Sequence, residues 1–250
     1  MQSLRYDHLF LDVDGTAVGR EDSPVGQDPR LIGLLQDYMV RGGTAGLVTG
    51  RGADYTAAVY ELLGLNGPRV VEKGAALIMP DGTTIGLGEL VEKEDVLTFL
   101  RDEGLLRRMV LEAKRYMVSM ILPEFPYHDT AVLQRIFDET KPKFEARFPH
   151  LRIMTDLHSI DVENPEANKG KGILEYARRA GIDLGNSAAA GDSIGDWESF
   201  KVVGEAGGLV CYVGTSTDLA KKISREFSNT YITQRKRSNG TRELLEKLLV

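Results

Sequence analysis

The stretch Leu9-Phe10-Leu11-Asp12-Val13-Asp14-Gly15-Thr16 joins an apolar run to two carboxylates separated by one residue. An apolar run of this kind predicts a buried strand over residues 7–13, and the Gly- and Asp-rich segment after it predicts a loop. Alternate strand residues point the same way, so a chain leaving the strand here can aim Asp12 and Asp14 into one pocket. Two like charges held that close repel unless a cation or a shared proton intervenes.

On either side of this stretch, strands and helices alternate. Leu31, Leu34, Leu35 and Tyr38 have helical spacing over residues 29–41, and Gly42-Gly43 provides the stop. Residues 44–49 form a second strand, Gly50-Arg51-Gly52 breaks it, and a helix runs to about Leu63. Residues 69–71 are a further strand, followed by a hairpin that turns at Asp81-Gly82. Near the C-terminus, Asn168 caps a helix over 169–180, Ser187-Ala188-Ala189-Ala190 is a strand of small residues, and strand 209–213, helix 217–227, strand 230–232 and helix 241–249 follow. This alternation predicts an α/β fold, a doubly wound and mainly parallel sheet covered on both faces.

Residues 87–162 have a different character. A charged helical stretch covers 89–108, and residues 114–122 form a strand stopped by Pro123. A helix over 129–147 places Val132, Leu133, Ile136 and Phe137 on one face, and strands at 151–154 and 158–162 follow. The expected organisation is a catalytic core made of residues 1–86 and 163–250, with an α+β cap domain inserted at 87–162.

Composition limits the partners. The chain has 250 residues, 42% hydrophobic and 27% charged, with a formal net charge of −6. That balance argues against nucleic acid, whose phosphates need clustered Lys and Arg. Arg235-Lys236-Arg237 is a dense basic run and reads as a solvated loop. The single cysteine, Cys211, excludes an intrachain disulfide and sits in an apolar run as a buried strand residue. No stretch is long and apolar enough to span a membrane, so a cytoplasmic protein is expected. Oligomeric state is not encoded in any feature of the sequence.

Four polar clusters follow strands or open helices: Asp12/Asp14, Thr49-Gly50-Arg51, Lys169-Gly170 and Asp192/Asp196. Ligands of open parallel sheets bind beyond the carboxyl ends of the strands, where these clusters gather. Four carboxylates there call for a hard divalent cation, and Mg2+ takes a few carboxylates with waters and phosphate oxygens. Lys169 adds positive charge, and Thr49 with the Gly-rich backbone can cradle an anion. Asp12 can act as a nucleophile without a base, and Asp14 can protonate a leaving oxygen and then activate water. Lys171 is a rival for Lys169. Arg51 either touches substrate or makes a structural ion pair. Arg115, Tyr127, His128 and His158 are groups of the insert that could face a substrate, whereas Trp197 reads as core packing.

These clusters, in this order, resemble the haloacid dehalogenase superfamily, in particular its capped phosphatase branch (subfamily IIB, Cof-type). Asp12-Val13-Asp14-Gly15-Thr16 is similar to its first motif, Thr49-Gly50-Arg51 to its second, Lys169-Gly170 to its third and Gly191-Asp192-Ser193-Ile194-Gly195-Asp196 to its fourth. The resemblance implies a magnesium-dependent phosphatase acting on a small phosphorylated metabolite, a sugar phosphate or phosphoglycolate-like acid, through an aspartyl-phosphate. It implies Asp12 as nucleophile and metal ligand, and Asp14 as acid/base with its backbone carbonyl on the metal. Thr49 would hold phosphate with Gly50 and Arg51, Lys169 would neutralise charge, Asp192 would bind metal, and Asp196 would support the metal or orient Lys169. Gly195 stands where Asn is common, Glu72-Lys73-Gly74 where Glu-Asn-Gly is frequent, and Ala17 replaces a usual Leu. Two alternatives remain at this level. A phosphomutase of the phosphomannomutase type would need a bisphosphate activator, and a phospho-Asp switch would hold phosphate without turnover.

Overall fold

The computed structural model describes residues 4–18, 28–88, 90, 92–124, 129–155 and 158–250. In chain order the elements are β1 (His8–Leu11), α1 (Pro29–Val40), β2 (Thr44–Val48), α2 (Ala53–Leu63), β3 (Arg69–Val71), β4 (Ala76–Ile78) and β5 (Thr84–Gly86). Then come α3 (Lys93–Asp102), β6 (Val110–Leu111), β7 (Val118–Ile121), α4 (Thr130–Arg147), β8 (Arg152–Thr155) and β9 (Ser159–Glu163). The chain finishes with α5 (Lys169–Ala180), β10 (Ser187–Gly191), α6 (Trp197–Glu205), β11 (Leu209–Tyr212), α7 (Thr217–Glu226), β12 (Thr230–Ile232) and α8 (Ser238–Leu248).

The larger sheet has eight strands in the order β12-β11-β10-β1-β2-β3-β4-β5. Pairing is parallel from β12 to β3 and antiparallel across β3-β4-β5. Alternation along β1 splits the core in two. Leu9 and Leu11 pack with Leu31, Leu35, Tyr38 and Leu244 on one face, while Phe10 packs with Ile173, Tyr176, Phe200 and Val210 on the other. The α/β fold with a doubly wound, mainly parallel sheet is the observed one. Cys211 is fully buried in β11, where burial pushes its thiol up. Arg235 and Lys236 of the basic run are exposed.

Local chemistry sets the helix ends. The Asp28 carboxylate accepts the N–H groups of Arg30 and Leu31, with Pro29 opening α1. Asn168 accepts from the N–H of Lys171, and Gly181, at φ 67°, closes α5 in the left-handed region.

The smaller sheet is antiparallel, in the order β6-β7-β9-β8. Val118, Met120, Ile160 and Val162 face its own apolar cluster with Leu133, Ile136, Phe144 and Phe148 from α4 and beyond. Several sequence expectations shift here. The helix expected over 89–108 ends at Asp102, because Gly104 takes φ +75° and starts a short 3-10 turn. The strand expected over 114–122 shrinks to β7, because the N–H groups of Arg115, Tyr116 and Met117 donate to the Glu72 carboxylate rather than to a neighbouring strand. Val132 is exposed while Leu133 and Ile136 are buried. The last helix starts at Ser238 rather than 241. No helix among the described residues is long and apolar enough to cross a membrane.

Candidate active site

Asp12 follows β1 directly, and its backbone N–H extends the sheet pairing to the Ala190 carbonyl at 2.9 Å. The chain then folds into a tight loop, with Val18 N–H donating to Val13 O and Gly15 N–H to Val18 O. Gly15 has φ +78°, and a Cβ there would lie 2.2 Å from Asp192 Oδ2. Glycine is thus required twice over, for the turn and for the approach of the loop after β10.

That approach gathers Asp12, Asp192 and Asp196, whose ligand oxygens lie within 4.8 Å of one another. Lys169 opens α5 and buries its ammonium between them, 2.8 Å from Asp12 Oδ1 and 2.6 Å from Asp196 Oδ1. A cation at a helix N-terminus opposes the helix dipole, and the two carboxylates offset that cost. Burial would lower the Lys169 pKa, but Asp12 and Asp196 outweigh it and hold the group cationic. Three carboxylates against one ammonium leave a surplus of negative charge. Burial first, then Asp196, pushes Asp12 up to about 8, against the pull of Lys169. Hard carboxylate oxygens in negative surplus suit a hard divalent cation, so the donor set fits Mg2+.

Within this set the side chains differ. Among the described residues Lys169 holds Asp12 Oδ1, and nothing hydrogen-bonds Oδ2. Asp196 is the most heavily hydrogen-bonded of the three: Oδ1 is on Lys169 and Oδ2 accepts the N–H groups of Asp192 and Ser193. Ser193 and Asp196 form a capping box, so the cap residue here is Ser193.

Asp14 lies outside that trio. Its two carboxylate oxygens accept from Arg51 Nε and Nη2, both at 2.8 Å, a bidentate pair. Arg51 also stacks over Tyr55 and lies 3.7 Å from Glu112. Thr49, at the end of β2, is buried, and its hydroxyl accepts the Arg51 N–H at 3.1 Å. Gly50 sits under the Lys73 side chain. Lys171 pairs with Glu166 on the surface, away from Asp12. Trp197 packs against Phe227. Of the cap candidates, Arg115 pairs with Asp54 at 2.9 Å in an exposed position and His158 immediately precedes β9, while Tyr127 and His128 lie outside the described residues.

The sequence marks Glu72-Lys73-Gly74 only as a departure from the frequent Glu-Asn-Gly, with no structural role attached. All three residues have positive φ, 51°, 58° and 94°. The turn bonds back to the second cluster, with Glu72 N–H on Arg51 O and Lys73 N–H on Thr49 O. Lys73 Nζ reaches Asp161 at 2.5 Å, and Lys114 Nζ lies 3.1 Å from Glu112. Burial alone would raise the Asp161 carboxyl, but Lys73, Lys114 and Ser119 hold it below its ordinary value. The signal available in the sequence was Lys73 itself, in place of the frequent Asn.

Comparison with known proteins gives the family of the chain. The chain is 25% identical over 243 residues to a phosphoglycolate phosphatase of Methanopyrus kandleri, covering 96% of each chain. It is 25% identical to a probable trehalose-phosphate phosphatase of Sinorhizobium fredii, over 82% of this chain and 77% of that one. A haloacid dehalogenase-like hydrolase from Bacteroides thetaiotaomicron superposes with a TM-score of 0.72 at 12% identity, covering 97% of this chain and 99% of the other. Residues 113–240, which carry Lys169, Asp192 and Asp196, match the haloacid dehalogenase-like hydrolase family. The chain belongs to that family of hydrolases.

Proposed function

We propose that this protein is a magnesium-dependent phosphatase that hydrolyses a small phosphorylated metabolite through an aspartyl-phosphate on Asp12. The observation that carries this reading is the convergence of Asp12, Asp192, Asp196 and Lys169 at one sheet edge. Relatives of nearly the same length named as phosphoglycolate and trehalose-phosphate phosphatases support the reaction class.

Asp12, Asp192 and Asp196, with the Asp14 backbone carbonyl, would hold Mg2+, which supplies positive charge to the phosphate oxygens when bound. Asp12 Oδ2 attacks phosphorus, and the bond to the leaving oxygen breaks. Lys169 fixes the nucleophile through Oδ1 and offsets charge on the phosphoryl group. Thr49 and the backbone of Gly50 and Arg51 bind the phosphate. Asp14 donates the proton to the leaving oxygen, which requires Arg51 to yield one of its two contacts. In the second half, Asp14 takes a proton from water, which attacks the acyl phosphate and frees Asp12. Residues 1–86 and 163–250 form the catalytic core, and residues 87–162 form the cap that excludes bulk water and contacts the leaving group.

The test is phosphate release from a panel of phosphomonoesters, p-nitrophenyl phosphate included, with Mg2+ and with a chelator. Turnover with Mg2+ that the chelator removes is expected. Absence of release from every ester at saturating Mg2+ would discard the reading.

A further inference from the structure

Arg51 presents the forked side of its guanidinium to Asp14, with Nε 2.8 Å from Oδ2 and Nη2 2.8 Å from Oδ1. Among the described residues no other side chain hydrogen-bonds the Asp14 carboxylate. The third nitrogen, Nη1, faces Glu112 of the insert at 3.7 Å. Arg51 is itself held on several sides. Its N–H donates to the Thr49 hydroxyl, its carbonyl accepts the Glu72 N–H, and its guanidinium lies over the Tyr55 ring, 5.1 Å from the centroid.

An arginine so placed could bind phosphate, brace the fold or direct its carboxylate partner. A phosphate ligand would turn its fork toward Thr49 and Gly50, yet the fork is on Asp14. As a brace the pair adds little, because both side chains are 31% exposed and an ion pair in that setting contributes modestly to stability. What a bidentate pair does fix is direction. Two parallel N–H···O bonds set the plane of the carboxylate, which the point charge of an ammonium could not do. Direction matters for Asp14, because a general acid must hold its proton within hydrogen-bond reach of the leaving oxygen.

Resting on the phosphatase reading above, we infer that Arg51 is a positioning residue that acts through Asp14, aiming its carboxyl at the leaving oxygen, and that the Arg51 side chain is not a phosphate ligand. As the bond from phosphorus to the leaving oxygen breaks, its electron pair stays on that oxygen and Asp14 supplies the proton. One Arg51 contact opens to free the oxygen that carries the proton, while the other keeps the aim. The fork then closes again on the carboxylate that remains. In the second half that carboxylate takes a proton from the attacking water.

The test separates leaving groups. p-Nitrophenolate departs as a stabilised anion and needs little protonation, whereas an alkoxide needs the acid. kcat/KM is compared for p-nitrophenyl phosphate and for the most rapidly hydrolysed alkyl phosphate of the panel above, with Mg2+, in the wild type, Arg51→Met and Arg51→Lys. Each variant should lose at least about ten-fold more on the alkyl ester than on p-nitrophenyl phosphate, while inhibition by inorganic phosphate stays within about two-fold of the wild type. Arg51→Lys should not restore the alkyl ester, since one ammonium cannot replace the fork. Equal losses on the two esters, or none, overturn the inference. Equal losses with weakened phosphate inhibition make Arg51 a phosphate ligand, and with unchanged inhibition a structural residue. Should one variant fail to fold, the other decides; unfolding of both, seen by circular dichroism, makes the pair a brace and overturns the inference. Wild-type turnover of p-nitrophenyl phosphate without any alkyl ester also overturns it and leaves phosphoryl transfer standing. No release from any ester overturns both readings.

Discussion

The two sheets of this protein carry charge in opposite ways. The large sheet keeps its strands apolar and collects charge at their ends, where three carboxylates gather and two of them hold one ammonium. The small sheet carries charge on the strands themselves, and Asp161, Glu112 and Glu163 each have a cation at hand. The unbalanced cluster demands a further cation and suits chemistry. The balanced one is internally paired and calls for no further cation.

The largest test of this contrast is Asp12→Asn. Removing the proposed nucleophile should lower turnover by at least about 10^4 while circular dichroism and the thermal transition stay those of a folded protein. Unchanged activity would discard the assignment. Lys169→Met comes next, with an expected loss of about 10^2–10^3 in kcat, since the ammonium acts on charge rather than forming the bond. A loss confined to KM would move Lys169 from the reacting atoms to binding.

Glu72→Ala tests the joint between the regions. Glu72 is fully buried and accepts three backbone N–H groups, so its removal should cost about 2–4 kcal/mol in urea unfolding. A shift within experimental error would show the joint is held elsewhere.

A further test is a pH dependence. Asp12 is raised to about 8 in the folded protein from an ordinary value near 4, so the folded state favours its neutral form. Its contribution to stability is present below pH 4 and is lost as pH rises toward 8. The metal-stripped protein should therefore lose thermal stability across that window, and Mg2+ should reverse the loss at the upper end. A flat profile in both conditions would contradict the charge surplus.

Legibility in the sequence follows the same contrast. Asp12, Thr49, Lys169 and Asp192 follow strands or open a helix, so short local patterns revealed them, and the glycines beside them marked the turns. The hydrogen-bonded row of Glu112, Ser119 and Asp161 in the smaller sheet was invisible, because it exists only through register between strands, with Ser119 and Asp161 42 positions apart. The bidentate hold of Arg51 on Asp14 is of the same long-range kind, at 37 positions. Strand 114–122 was overextended because hydrophobic spacing cannot reveal that its N–H groups are taken by a distant carboxylate.

The turn at residues 72–74 bears on how such enzymes can be recombined. Gly74 tolerates no side chain, since a Cβ there would lie 2.0 Å from the Asn168 carbonyl oxygen, next to Lys169. Glu72 carries the segment leading into β7, and Lys73 meets Asp161. A chimera cut at residue 87 would import a foreign lid without the bracket made to receive it. Transplants that carry residues 72–74 along with the insert should preserve the fit, and the portable unit is then larger than the inserted segment.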